Sequence, residues 1–209
     1  MDKASRAADN KMLCKWGMAM KVRLLIVTIN ALLLGCGDKA SVAGNDVVDP
    51  NAAKAEEFID AFYSFDRDKL AALLDHAGSS KVEILYYQGW AEGGNYKIVN
   101  RQPCVQVKLN TIACPITVDD DLINVLGIAF DVTDTFALTF SDGEIVSVET
   151  SSDDPAEFHA AMEWVKSDRP KLIDVPCKGY YAGGPTPGNC CKAYVQGFKE
   201  FASIQRSSK

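Results

Sequence analysis

Thr135-Phe136-Ala137-Leu138-Thr139-Phe140-Ser141-Asp142-Gly143-Glu144-Ile145-Val146-Ser147-Val148 is the stretch on which the fold turns. On both sides of Asp142-Gly143, bulky apolar residues alternate with small or polar ones, the period of half-buried strands. Asp-Gly accepts the positive φ that a two-residue hairpin turn demands, so Thr135–Phe140 and Glu144–Glu149 predict an antiparallel pair. Upstream, Val82–Trp90, Tyr96–Asn100, Cys104–Leu109 and Ile112–Val118 are also expected to be strands, being rich in β-branched and aromatic residues. Glu92-Gly93-Gly94-Asn95 and Asn110-Thr111 supply turns between them.

Helical signals lie on either side of this run. Asp49-Pro50 offers a capping residue followed by Pro at the first helical position, and Ala55, Phe58, Ile59 and Phe62 then form one apolar face. Asp66 caps a second short helix carrying Leu70, Leu73 and Leu74, which fades at His76-Ala77-Gly78. Asp119-Asp120-Asp121 before Leu122–Leu126 and Gly127 predicts one or two capped helical turns; the alternating oxygen ligands of a calcium loop do not follow. A longer helix is expected from Asp154-Pro155, with Glu157 placed for a capping box, a stripe of Phe158, Ala161, Met162 and Val165, and a stop at Arg169-Pro170. Helices first, strands gathered after them and a helix last predict an α+β fold rather than a doubly wound sheet.

Charge is distributed unevenly along the 209 residues. The whole chain carries 22 Lys+Arg against 28 Asp+Glu, a net of −6, which argues against nucleic acid as a partner. Residues 1–35 hold six basic and two acidic residues, a local +4, which leaves −10 on the rest. Met20-Lys21-Val22-Arg23 precedes an apolar run of eleven residues, Leu24 to Leu34, the length of a signal-peptide core rather than of a bilayer-spanning helix. Leu33-Leu34-Gly35-Cys36 resembles a bacterial lipobox, in which the Cys is lipid-modified and becomes the new N-terminus. That resemblance implies a signal peptide over residues 1–35, a lipid on Cys36 and membrane anchoring through it. The expected location is the bacterial cell envelope, at the outer membrane facing the periplasm, because Gly rather than Asp follows the Cys. Residues 1–19 read as an over-long start, with Met18 or Met20 the initiator and Cys14 outside the mature protein. From Cys36 to Asp49 the small polar sequence reads as a flexible tether.

The run Phe58-Ile59-Asp60-Ala61-Phe62-Tyr63-Ser64-Phe65-Asp66-Arg67-Asp68-Lys69-Leu70-Ala71-Ala72-Leu73-Leu74 resembles the opening of the nuclear transport factor 2-like superfamily, SnoaL-like branch. The hairpin at residues 136–148 is similar to that family's closing hairpin. The resemblance covers residues 50–151 and implies a cone: a curved antiparallel sheet packed on N-terminal helices, with a pocket at the wide end. A domain at 50–170 and a Cys-rich C-terminal helical extension at 171–209 are expected, the latter built on an amphipathic helix from Cys190 to Ile204. Members of this fold include isomerases, cyclases and dehydratases as well as non-catalytic binding domains. No catalytic pattern of the family maps onto this chain, since Asp66-Arg67-Asp68 lies at a helix start where Asp caps.

With Cys36 lipidated, five cysteines remain for an oxidising compartment. Cys104 and Cys114 flank the Asn110-Thr111 turn on neighbouring strands, so a cross-strand bridge is expected. Cys177 is expected to pair with Cys190 or Cys191 across a loop with little core of its own, leaving one Cys over. The spacings lack the close Cys pairs of a zinc or redox site, and no metal or cofactor is implied.

Tyr86-Tyr87-Gln88-Gly89-Trp90 is the most aromatic stretch. On a strand, Tyr86, Gln88 and Trp90 would face one way and Tyr87 and Gly89 the other, as a pocket wall or as packing. Asp131 and Asp134 stand near the start of a strand, where a carboxylate in an apolar pocket can serve as general base and one in a turn is simply solvated. His76 and His159 are the only imidazoles. Tyr86, Tyr87, Trp90, Asp134 and His159 are thus the ligand-site candidates. The leading expectation is a non-catalytic envelope domain binding a small apolar ligand or a protein partner, with a homodimer through the sheet face. The rival is an isomerase, cyclase or dehydratase using acid–base groups in the pocket.

Overall fold

The computed structural model describes residues 49–179 and 187–207. The expected signal peptide and tether, with Cys14, Met18, Met20 and Cys36, fall within residues 1–48 and lie outside the described residues. Three helices open the chain: α1 (Pro50–Tyr63), α2 (Arg67–Leu73) and α3 (Ser79–Gly93). The strands β1 (Lys97–Arg101), β2 (Val105–Lys108) and β3 (Thr111–Asp119) follow, then a short helix α4 (Asp121–Leu126), then β4 (Val132–Ser141) and β5 (Glu144–Ser152). The chain closes with α5 (Ala156–Asp168), α6 (Pro170–Ile173) and α7 (Pro187–Ser207). All strand pairs are antiparallel, in the order β1-β3-β4-β5, with β2 on the same edge of β3 as β1. This is an α+β fold with one five-stranded sheet.

The local signals act as their chemistry requires. The Asp49 side chain accepts from Asn51 N at 3.0 Å ahead of Pro50, and Asp66 accepts from Lys69 N at 3.0 Å. Asp120 accepts from Ile123 N at 3.0 Å, and Gly127 ends α4 at φ 74°. Asp142 and Gly143 both hold positive φ, 51° and 77°, where the β4–β5 hairpin turns. Helix α5 starts differently from the expectation: Pro155 precedes it, no side-chain capping bond forms, and Asp154 is half-buried instead.

The main correction concerns residues 82–90, which are not a strand. They lie within α3, and Glu92-Gly93-Gly94-Asn95 is the end of that helix rather than a turn between strands. Tyr86, Gln88 and Trp90 therefore do not share a face against Tyr87 and Gly89. Tyr86 and Trp90 are one helical turn apart on the same side, while the Gln88 amide donates to the carbonyls of Ala61 and Phe62 in α1, both at 3.1 Å. The physical reason is double-sided burial. Ile84, Leu85 and Ala91 join the core beneath the sheet, whereas Tyr86 and Trp90 join a second core with Leu122, Val165, Tyr194 and Phe198. A helix buried on two sides loses the single apolar stripe that marks its period, and a run rich in Val, Ile, Tyr and Trp then reads as extended.

Two cores thus share α3. In the first, Phe58 and Phe62 of α1 meet Phe136 of β4 with ring centroids 5.6 and 4.8 Å apart. In the second, Trp90 meets Tyr194 at 5.5 Å and Phe158 meets Phe198 at 5.3 Å. The α3–α7 contact is close because Gly89 and Gly93, spaced one turn apart, face the start of α7. A Cβ on Gly89 would stand 2.5 Å from Pro187 Cγ, and one on Gly93 would overlap the backbone of Gly188. Cys104–Cys114 and Cys177–Cys190 are disulfides, and Cys191 is a buried free thiol.

Candidate functional site

β4 alternates so that Val132, Asp134, Phe136, Leu138 and Phe140 are all buried. Four of these five are core apolars, and the carboxylate of Asp134 sits in phase with them, 2% exposed. Opposite it in the ladder stand Ile116 of β3 and Ser152 of β5. Asp134 borders a cavity of about 550 Å³ between α3, the second half of β5 and the start of α5. Such a volume lies within the ordinary range for small-molecule sites.

Each wall comes from a different element. Helix α3 contributes Ser80, Glu83, Ile84, Tyr86, Tyr87 and Trp90, and Tyr96 closes the end beyond it. β5 contributes Ser147 through Ser152, a run whose small hydroxylated side chains leave the space open. Asp154, Phe158 and Met162 complete the third side. Ser80 Oγ accepts from Val148 N at 3.2 Å and ties the start of α3 to β5, which fixes the width of the cleft there.

The electrostatics are one-sided. Burial pushes the Asp134 carboxyl up to about 7, against the pull of the Tyr87 hydroxyl and Ser152, with Asp154 and Asp120 pushing the same way. Its Oδ2 is buried without a hydrogen-bond partner, as is the hydroxyl of Tyr63. Tyr63 feels the Asp134 charge, and burial together with that charge raises its pKa. Tyr63 is placed to hydrogen-bond Asp134, although the contact falls outside ordinary geometry. Tyr87 and Tyr96 are likewise raised well above the usual phenol value, by burial first and neighbouring carboxylates second. Burial also lifts Asp120 to about 6 despite its capping bonds to Ile123 and Leu122, and lifts Asp154 although His159 opposes the shift. A neutral phenol beside a carboxyl that titrates near neutrality can donate, accept or relay a proton.

Of the expected site residues, Tyr86, Tyr87, Trp90 and Asp134 border this one cavity. His159 does not: it is exposed on α5, its ring 5.7 Å from that of Phe158, and it reaches the site only through its charge on Asp154. Asp131 is exposed and lies off the cavity, and His76 is exposed at the end of α2. Tyr63, Tyr96, Asp120 and Asp154 were not singled out by sequence reasoning as site groups. The sequence carried no signal for Asp154, because Asp-Pro reads as a helix start and only the structure shows that it does not cap. For the tyrosines there was none, because their meeting depends on α3 being a helix. Among the described residues, no three His, Cys, Asp or Glu side chains converge closely enough to hold a metal ion. Cys191, buried with its pKa raised by burial and by Asp120 and Asp121, is not a reactive thiol.

Comparison of the chain with family models, with curated proteins and with solved structures finds no match.

Proposed function

We propose that this chain is a cell-envelope lipoprotein, held to the membrane through lipid on Cys36, whose domain binds a small ligand in the cavity between α3, β5 and α5 without transforming it. The ligand reading rests on one observation above all: the buried carboxyl of Asp134 borders an open cavity walled by the aromatic side chains of α3. A carboxyl taken out of water is costly to ionise, and a bound donor on its cavity side would offset that cost. Native mass spectrometry of the gently purified chain should detect a retained small molecule, and Ser147→Trp, which places an indole in the cavity, should release it. An unaltered chain that never carries a ligand under any expression condition would contradict this.

The address rests on residues 20–36 alone. Cys36→Ser should move the protein from the membrane fraction to the soluble fraction and abolish lipid labelling. A Cys36→Ser chain that still pellets with membranes would count against the lipobox.

The nuclear transport factor 2-like relationship and its cone are part of the same proposal. Support comes from the order of helices before an antiparallel sheet, and from register irregularities at Ile98/Asn100, Gln106/Lys108 and Thr139/Phe140, since bulges bend strands locally. A third opening helix, α3, stands where the composition of residues 82–90 predicted a strand. The homodimer has one observation in its favour, the exposed apolar residues Val99, Val105, Val107 and Leu109 on and beside β1 and β2. Light scattering after size exclusion would report a dimer directly.

Acid–base catalysis is the second reading, favoured by a carboxyl pushed to about 7 within reach of the Tyr87 hydroxyl. If it holds, a ligand recovered from the cavity is consumed by fresh protein, and Asp134→Asn stops the turnover while still binding.

A further inference from the structure

The ionisable groups bordering the cavity, tyrosines aside, all carry the same sign. Glu83, Asp134, Glu149 and Asp154 line it, and among the lining residues there is no Lys, Arg or His. Glu83 and Glu149 are exposed at the rim, where solvent and salt screen them. Asp134 lies inside and Asp154 is half-buried, so these two set the local field. Around them stand the rings of Tyr86, Tyr87, Trp90, Tyr96 and Phe158, which offer apolar area and faces that attract cations. A metal ion does not fit, because the carboxylates are too dispersed to converge on one point. An anion would meet only repulsion. A neutral guest can exchange a hydrogen bond with the protonated carboxyl, but it cannot offset the charge that the carboxyl takes on as pH rises.

We infer that the cavity selects a small organic cation, an amine on an apolar or aromatic body, over its neutral and anionic counterparts. This inference rests on the ligand-binding reading above and specifies its ligand class. The ammonium N–H donates to the Asp134 carboxylate from the cavity side and neutralises the buried charge, while the apolar body packs against the rings of α3 and Phe158. Each half of the guest removes a different cost, the buried unpaired charge in one case and the empty apolar wall in the other. Binding also draws Asp134 into its charged form, so the cation binds more tightly as pH rises through the neutral range.

Three probes of matched size test this on the isotopically labelled full-length chain: 2-phenylethylamine, 2-phenylethanol and 3-phenylpropanoate. The readout is amide chemical-shift change at Tyr86–Trp90 and Ser147–Ser152, with each probe taken to about 10 mM, where weak fragments register. The amine should bind about tenfold or more tightly than the alcohol, the magnitude of a charge-assisted hydrogen bond, and the acid should not bind. Amine affinity should rise from about pH 6 to about pH 8, whereas alcohol affinity should stay flat. In Asp134→Asn the amine's advantage should largely vanish. If that variant does not fold, the pH comparison on the unaltered chain serves the same purpose. Equal binding of amine and alcohol overturns the cation inference and leaves the ligand-binding reading standing. No shift at the cavity residues from any probe overturns both.

Discussion

Replacing Asp134 by Asn should stabilise the protein above neutral pH and leave it nearly unchanged in mild acid. Asp134 is 2% exposed, and burial raises its carboxyl from 3.8 to about 7. Between those values the folded chain holds a proton that the unfolded chain has released. The folded state therefore binds more protons, and stability falls as pH rises, by about 1.4 kcal/mol per pH unit. Asp134 is harmless below its unfolded pKa near 4, and the loss is complete once pH passes about 7, on the order of 4 kcal/mol. Asn keeps the size of the side chain and cannot ionise, so it should recover about 2–4 kcal/mol at pH 8 and close to nothing at pH 4. Asp120, pushed to about 6, titrates in the same window, but it is present in both chains and largely cancels in the difference. Urea unfolding followed by circular dichroism at the two pH values gives the comparison. A difference between Asn and Asp that is the same at both pH values would refute the reasoning, as would an Asn chain that is relatively weaker at the higher one.

Other perturbations address the scaffold of the site. Gly93→Ala should cost about 1–3 kcal/mol or more, because the added methyl overlaps the Gly188 backbone where α3 meets α7; a lowered urea midpoint reports it. The paired change Cys177→Ser with Cys190→Ser opens a loop of sequence separation 13 and should cost about 3 kcal/mol, measured the same way. Cys191 has no exposed surface, so a thiol reagent should label it only as fast as the protein opens; rapid labelling of the native chain would contradict its placement.

Much of the scaffold was legible in the sequence because its signals are local. Asp49-Pro50, Asp66 and Asp120 start helices through their own side chains, and Asp142-Gly143 turns a hairpin through its own φ angles. The cross-strand bridge follows from two cysteines on either side of one turn, whereas the sequence offers Cys177 two adjacent partners and the structure pairs it with Cys190. Helix α3 was not legible, because its identity is decided by what packs on both of its sides. Without α7 against Gly89 and Gly93, the run from Val82 to Trp90 has the composition of a strand. The site inherits that gap. Tyr86, Tyr87 and Trp90 were singled out for their aromaticity, yet their meeting with Tyr96 and Asp134 needs the helix. Asp134 itself carried a readable mark, since it falls in the same alternating phase as Phe136, Leu138 and Phe140, and a carboxylate in a buried row is unusual. That mark was obscured by starting the strand at Thr135 when it starts at Val132.

The central claim is that Asp134 is a buried carboxyl held ready for a ligand in the cavity. Its titration by carbon-detected NMR, followed through the side-chain carboxyl resonance with and without 2-phenylethylamine, tests this most directly. The account predicts a midpoint near the value of about 7 for the free chain and a clear fall when the amine is bound. A midpoint at the ordinary carboxyl value, unmoved by the amine, would contradict it.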